Sequence, residues 1–223
     1  MRGDVPHAPV ILKPHEPVAE RVLLPGDPGR ALRLATQLIA GPRMLNHHRG
    51  LWGYTGPAAD GAPLTIQSTG LGGPSAAAVV AALTGLGARR LVRVGTAAGL
   101  GATPLGAVVV VEAAIAADGA SRALGASGRV AADPELTAAL EGNLRGLVAS
   151  ADVHDPGRAA DWVAQGALAI DLATAAVLAA AARAGATAAA VLGVTRVRGE
   201  RLGDAETERL ASVLGAAGAA ALR

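Results

Sequence analysis

Short aliphatic runs alternate with alanine-rich stretches along most of this chain. Residues 21–26 (RVLLPG), 63–69 (PLTIQST), 90–96 (RLVRVGT), 107–113 (AVVVVEA) and 188–196 (AAAVLGVTR) are apolar runs, each ending in glycine or a small polar residue. Such runs predict buried strands. Between them, residues 28–40, 74–86, 134–147 and 172–184 predict helices. Pro28, Pro74 and Pro134 fall in first turns, where the missing N–H costs nothing, and Gly87 and Gly185 fall where a helix ends. Strands alternating with helices predict an α/β fold, a mostly parallel central sheet flanked by helices. No repeat or linker interrupts the pattern, so residues 1–223 are expected to form a single domain. In such sheets ligands bind beyond the carboxyl ends of the strands, where PGDP, STGLGG, RVGT and VTR all lie.

Composition narrows the class. The chain has 223 residues, 51% of them hydrophobic, enough for one sizeable core. Its aromatic residues are Trp52, Tyr54 and Trp162, so aliphatic side chains and alanine must fill that core. Lys13 is the sole lysine among 20 basic residues, and the net charge is only +2. The arginines are scattered and no aromatics interleave with them, which argues against nucleic acid as a partner. Cysteine is absent, excluding disulfides and thiolate metal sites. The start, MRGDVPHAPV, lacks an apolar signal core, and the longest apolar stretches, 108–111 and 175–182, are too short for a bilayer. A soluble, cytoplasmic protein without membrane or metal is the expectation.

Candidate chemistry concentrates in three arginine-bearing segments: LLPGDPGRA (23–31), NHHRG (46–50) and LVRVGTAAG (91–99). Each sets an arginine beside glycine or a small hydroxyl residue where an apolar run gives way to a turn. Glycine lets a backbone N–H approach an anion, and the guanidinium fork matches phosphate oxygens. Gly26 precedes a helix that Pro28 opens, and Arg30 lies on its first turn. Taken alone, that pattern equally describes an ordinary strand–turn–helix with a solvated arginine. Arg93 is more telling. It lies inside an apolar strand, and a buried guanidinium needs an anionic partner, either a carboxylate or a bound phosphate, the latter assisted by Gly95 and Thr96. Gly95, Gly99 and Gly101 lack the G-x-G-x-x-G spacing of a dinucleotide site.

The ordered set of segments resembles the nucleoside phosphorylase family, in its hexameric uridine and purine nucleoside phosphorylase branch. STGLGGPS (68–75), ADGAS (117–121), SAD (150–152) and DWVAQGALAIDLAT (161–174) extend the likeness, which runs from PGDP near residue 25 to DAET near residue 204. The resemblance implies phosphorolysis of a nucleoside to free base and sugar 1-phosphate, with inorganic phosphate as co-substrate and no cofactor. Gly26, Arg30, Arg93 and Thr96 would hold the phosphate. Arg49 would reach the phosphate of a neighbouring subunit and His7 the sugar across the same interface, so a homodimer or homohexamer is implied. His47 and His48 could border that interface.

The sugar and base positions depart from the pattern. Where the relatives carry a Glu-Met-Glu triplet, this chain has Asp171-Leu172-Ala173, so Asp171 and Leu172 remain as sugar contacts and Ala173 offers no acceptor. Asp171 also reads as a helix N-cap. His154 stands where relatives keep a stacking aromatic, and Arg196 where uridine phosphorylases keep an arginine near the departing base. Arg30, Arg93 and Arg196 are thus the catalytic candidates. Two other readings fit the altered pocket: a lapsed family member that binds a nucleoside or phosphate as a regulator, or a phosphorylase for an atypical, deoxygenated sugar. A hydrolytic nucleosidase would have little use for three phosphate arginines.

Overall fold

A computed structural model describes residues 10–153 and 155–223; His7 and His154 lie outside them. The first strand, β1 (Arg21–Pro25), leads through Gly26 and Asp27 into α1 (Pro28–Leu38). Pro28 opens this helix, and the Asp27 carboxylate caps it by accepting the Arg30 N–H at 2.7 Å. An antiparallel meander follows, β2 (Arg43–Asn46), β3 (Gly53–Pro57) and β4 (Pro63–Gln67), the last lying parallel to β1. Next come α2 (Gly72–Gly85), the long strand β5 (Arg90–Gly99), β6 (Val108–Ala116), α3 (Gly119–Ala123) and β7 (Arg129–Ala131). The remainder comprises α4 (Pro134–Ala139), β8 (Leu144–Ser150), α5 (Ala159–Ala164), β9 (Ala167–Asp171), α6 (Thr174–Arg183), β10 (Thr187–Val197), β11 (Glu200–Arg201) and α7 (Asp204–Ala221).

One α/β domain with a central sheet flanked by helices is what the alternating pattern called for. The sheet itself is mixed. β4, β1, β5 and β10 run parallel, as do β6, β8 and β9, while β10–β6, β5–β9 and the β2–β3–β4 meander are antiparallel. Because β5 pairs with β10 along its length and with β9 at its end, the strands β5–β10–β6–β8–β9 close on themselves. Val92 and Val94 of β5 pack against α7, within about 3 Å of where a side chain on Gly218 would stand. Arg93, between them, therefore points to the opposite face, where α6 begins.

The helix expected over 134–147 is only half right. It stops at Ala139, and residues 144–150 form β8. The reason lies in Glu141-Gly142-Asn143. Asn143 accepts the Val108 N–H at 2.7 Å, tying the chain to β6, and a Cβ on Gly142 would stand 2.9 Å from the Val108 carbonyl oxygen. A glycine that permits this close backbone approach converts a helical period into a turn and a strand. The pattern also passed over β9 and the C-terminal helix α7 as separate elements.

Candidate functional site

A cleft of about 500 Å³ opens where β1, β4, β5, β9 and β10 end. Its lining includes Gly26, Arg30, Arg93, Thr96, Asp171, Leu172 and Arg196, residues spread over 171 positions of sequence that the sheet gathers into one place. Gly70 and Leu71, between β4 and α2, and Gly72, the first residue of α2, line it too. Among the described residues, the expected phosphate, sugar and leaving-group positions therefore converge, with one exception, Arg49.

The floor is built around Arg93, which is 6% exposed. Its Nη2 donates to Asp171 Oδ2 at 2.9 Å, and its Nε donates to the same oxygen at 3.2 Å and to Thr174 Oγ1 at 3.1 Å. Asp171 receives further hydrogen bonds from the Thr174 N–H and hydroxyl and from the Ser150 hydroxyl. The buried guanidinium thus has the carboxylate partner that burial demands, on one edge. The other edge does not: Arg93 Nη1 is buried and has no hydrogen-bond partner among the described residues. Gly95 makes this arrangement possible, since a Cβ there would lie 3.0 Å from Arg93 Nη2 and 2.8 Å from Leu192 Cδ2.

Arg30 repeats the pattern from the α1 side. Its Nε is buried without a partner. Burial lowers the pKa of its guanidinium; Asp27 opposes that shift, and the positive charge of Arg93 adds to it. Two cations line one cleft, each with a buried N–H unsatisfied among the described residues, an arrangement that an anion can complete. Gly26 and Thr96 flank the same space, adding a backbone N–H at the start of a helix and a hydroxyl. Inorganic phosphate or a phosphate ester has the charge and the acceptor oxygens to satisfy all four groups.

Arg196, exposed near the end of β10, also lines the cleft. Leu172 and Ala173 line the cleft as well. Asp171 is not the N-cap of α6, a position that falls to Ala173; it ends β9 and accepts the Thr174 N–H at 3.0 Å from there.

Arg49 stands apart. It is exposed, lies outside the cleft lining, and holds φ 60°, ψ 21° in a short 3₁₀ turn between β2 and β3. A side-chain-bearing residue in this left-handed region carries strain of about 1 kcal/mol or more. The turn is held by Asn46, fully buried, whose side chain accepts the Lys13 N–H at 2.8 Å and donates to the Leu51 carbonyl. Gln67 donates to the same carbonyl at 2.9 Å. His47 stacks on His15 with ring centroids 5.3 Å apart.

Several supporting residues escaped the sequence reading: Ser150 and Thr174, which hold Asp171, and Asn46 and Gln67, which hold the Arg49 turn. The first two sat inside quoted segments, SAD and DLAT, yet only the tertiary contact between β8 and β9 reveals their partner. Asn46 and Gln67 carried no signal, because a buried amide is indistinguishable from an exposed one in sequence.

The chain belongs to the phosphorylase superfamily, whose family model matches residues 20–223. It is 40% identical over 106 residues to a uridine phosphorylase of Treponema pallidum, a match covering 47% of this chain and 40% of that protein. It is also 43% identical over 84 residues to a DeoD-type purine nucleoside phosphorylase of an Exiguobacterium species, covering 37% and 35% of the two chains. A DeoD-type purine nucleoside phosphorylase of Geobacillus kaustophilus is 42% identical over 80 residues, covering 35% and 34%. The matches span well under half the length of these curated relatives.

Proposed function

We propose that this protein is a nucleoside phosphorylase, a pentosyltransferase that cleaves an N-glycosidic bond with inorganic phosphate and releases free base and sugar 1-phosphate. The observation that carries the reading is a pair of arginines lining one cleft, Arg30 and Arg93, each with a buried guanidinium N–H, Nε and Nη1, that has no partner among the described residues. The relatives named as uridine and purine nucleoside phosphorylases support the same chemistry.

Phosphate sits between Arg30 and Arg93, steadied by the Gly26 N–H and the Thr96 hydroxyl. One of its oxygens forms the bond to the anomeric carbon as the glycosidic bond to the base nitrogen breaks. The bond pair departs with the base, which takes a proton from water. The sugar is oxocarbenium-like in between, and the phosphate dianion stabilises it at close range. Arg196 faces the negative charge gathering on the leaving base. Preorganised charge and positioning supply the rate, with no covalent enzyme intermediate and no cofactor. His154 is proposed to border the base, and His7 and Arg49 to reach the site of a second copy, making a homo-oligomer the active form. The cytoplasm is the proposed location.

The test is release of free base from uridine, thymidine, inosine and adenosine with and without phosphate. Cleavage only with phosphate is the expected result; phosphate-independent cleavage would replace the reading with hydrolysis. Arg93→Ala is a poor probe, because it strands buried Asp171. Arg30→Met is the better one: it keeps the stem of the side chain and should reduce kcat/KM about a hundredfold or more by removing charge stabilisation in the transition state.

A further inference from the structure

We propose that the chamber beside the anion cradle is built for a sugar poorer in hydroxyls than ribose, a deoxygenated pentose presented as its nucleoside or its 1-phosphate. This rests on the phosphorolysis reading and narrows its substrate.

An ionised carboxylate is the strongest acceptor a protein can offer a sugar hydroxyl. Among the described residues the cleft lining holds two carboxylates, Asp27 and Asp171, and the buried one is not free to serve. Asp171 has a side chain with no exposed surface. Its Oδ2 already receives Arg93 Nε and Nη2 and the Thr174 hydroxyl, and its Oδ1 receives the Ser150 hydroxyl, with the Thr174 N–H shared between them. A carboxylate offers about four lone-pair directions, and these contacts fill them. Asp27 is exposed at the rim, and its Oδ1 is engaged by the Arg30 N–H.

Much of the rest of the lining is hydrocarbon: Ile170, Leu172, Ala173, Ala97 and Ala98. Ala173 follows directly on the saturated Asp171–Leu172 stretch and brings only a methyl group to the wall. A hydroxyl carried into that space exchanges water for carbon and forfeits its hydrogen bonds. A ring position bearing hydrogen instead of hydroxyl loses nothing there. The Thr96 and Thr195 hydroxyls remain for the oxygens that a deoxypentose keeps.

The experiment uses the full chain and compares 2-deoxyribose 1-phosphate with ribose 1-phosphate by titration calorimetry. It also compares phosphate-dependent kcat/KM for a 2′-deoxynucleoside and the ribonucleoside of the same base. Each ratio is expected to favour the deoxy sugar about tenfold or more, the cost of one stranded hydroxyl. Ala173→Glu, which adds a free carboxylate to the wall, should shrink that preference. Equal or better binding and turnover of the ribose forms overturns this proposal and leaves phosphorolysis standing. Binding of inorganic phosphate with neither sugar phosphate held overturns both.

Discussion

Asp171 shows how one residue can be misjudged by its neighbours in sequence and understood from its contacts. At the head of α6 it satisfies a helix terminus, neutralises one edge of a buried arginine, and takes a hydroxyl from β8. Asp171→Asn keeps the shape but removes the negative charge that answers buried Arg93. It should lower unfolding stability by roughly 3–5 kcal/mol, read from the urea midpoint, because breaking a buried pair strands its partner's charge. Added phosphate should recover part of that loss, since an anion bound only by the folded form shifts the equilibrium toward it. Gly95 sits on the same arginine. Gly95→Ala pushes a methyl into the guanidinium and into Leu192 and should weaken phosphate binding, which calorimetry would detect as a loss of about tenfold or more.

Among the elements, β1 and the β3–β4 turn are joined by a second arginine whose role is structural. Arg21 grips Asp60 with two N–H groups at 2.6 and 3.1 Å and also donates to the Pro63, Ala62 and Leu222 carbonyls. Asp60 is exposed, yet the side-chain bond to Arg21, aided by the Ala62 N–H, holds its carboxyl at about 2 instead of 3.8. The folded-state value is depressed, so the stabilisation is full above pH 3.8 and disappears as pH falls toward 2. The wild type should therefore outlast Asp60→Asn in thermal melts near neutrality, with the two curves converging in acid. A constant gap across that range would show that the pair acts through packing and not through charge.

For the whole molecule, the outstanding question is how Arg49 relates to the cleft. It is exposed, backbone-strained and held in place by buried amides. Exposed Met44 and Trp52 lie on the same meander, and Leu71, 84% exposed, stands at the rim of the cleft. If the active form shares Arg49 between copies, Arg49→Ala and Arg30→Met will each be severely impaired alone, and mixing the refolded variants will restore turnover. Mixed samples that stay inactive, although native mass spectrometry shows mixed oligomers, would place Arg49 outside the site.

Much of this protein was legible before folding. Apolar runs closed by glycines located β1, β4, β5, β6 and β10, and prolines and glycines marked the bounds of α1, α2 and α6, because those signals are local: backbone stereochemistry and side-chain period. The lone arginine in an apolar strand was legible for the same reason, since burying a charge without a partner is too costly to be accidental. What remained hidden was decided across the chain. Whether Arg93 met a carboxylate or a phosphate, and with which edge, depended on β9 returning antiparallel beside the end of β5. The residues around 144–150 could not declare themselves a strand, because the partner that recruits them, β6, lies some 35 positions away. Local chemistry along the chain named the arginines and glycines of the site; only tertiary structure determined which of their hydrogen bonds were already taken, because a donor is spent or free only by what lies against it.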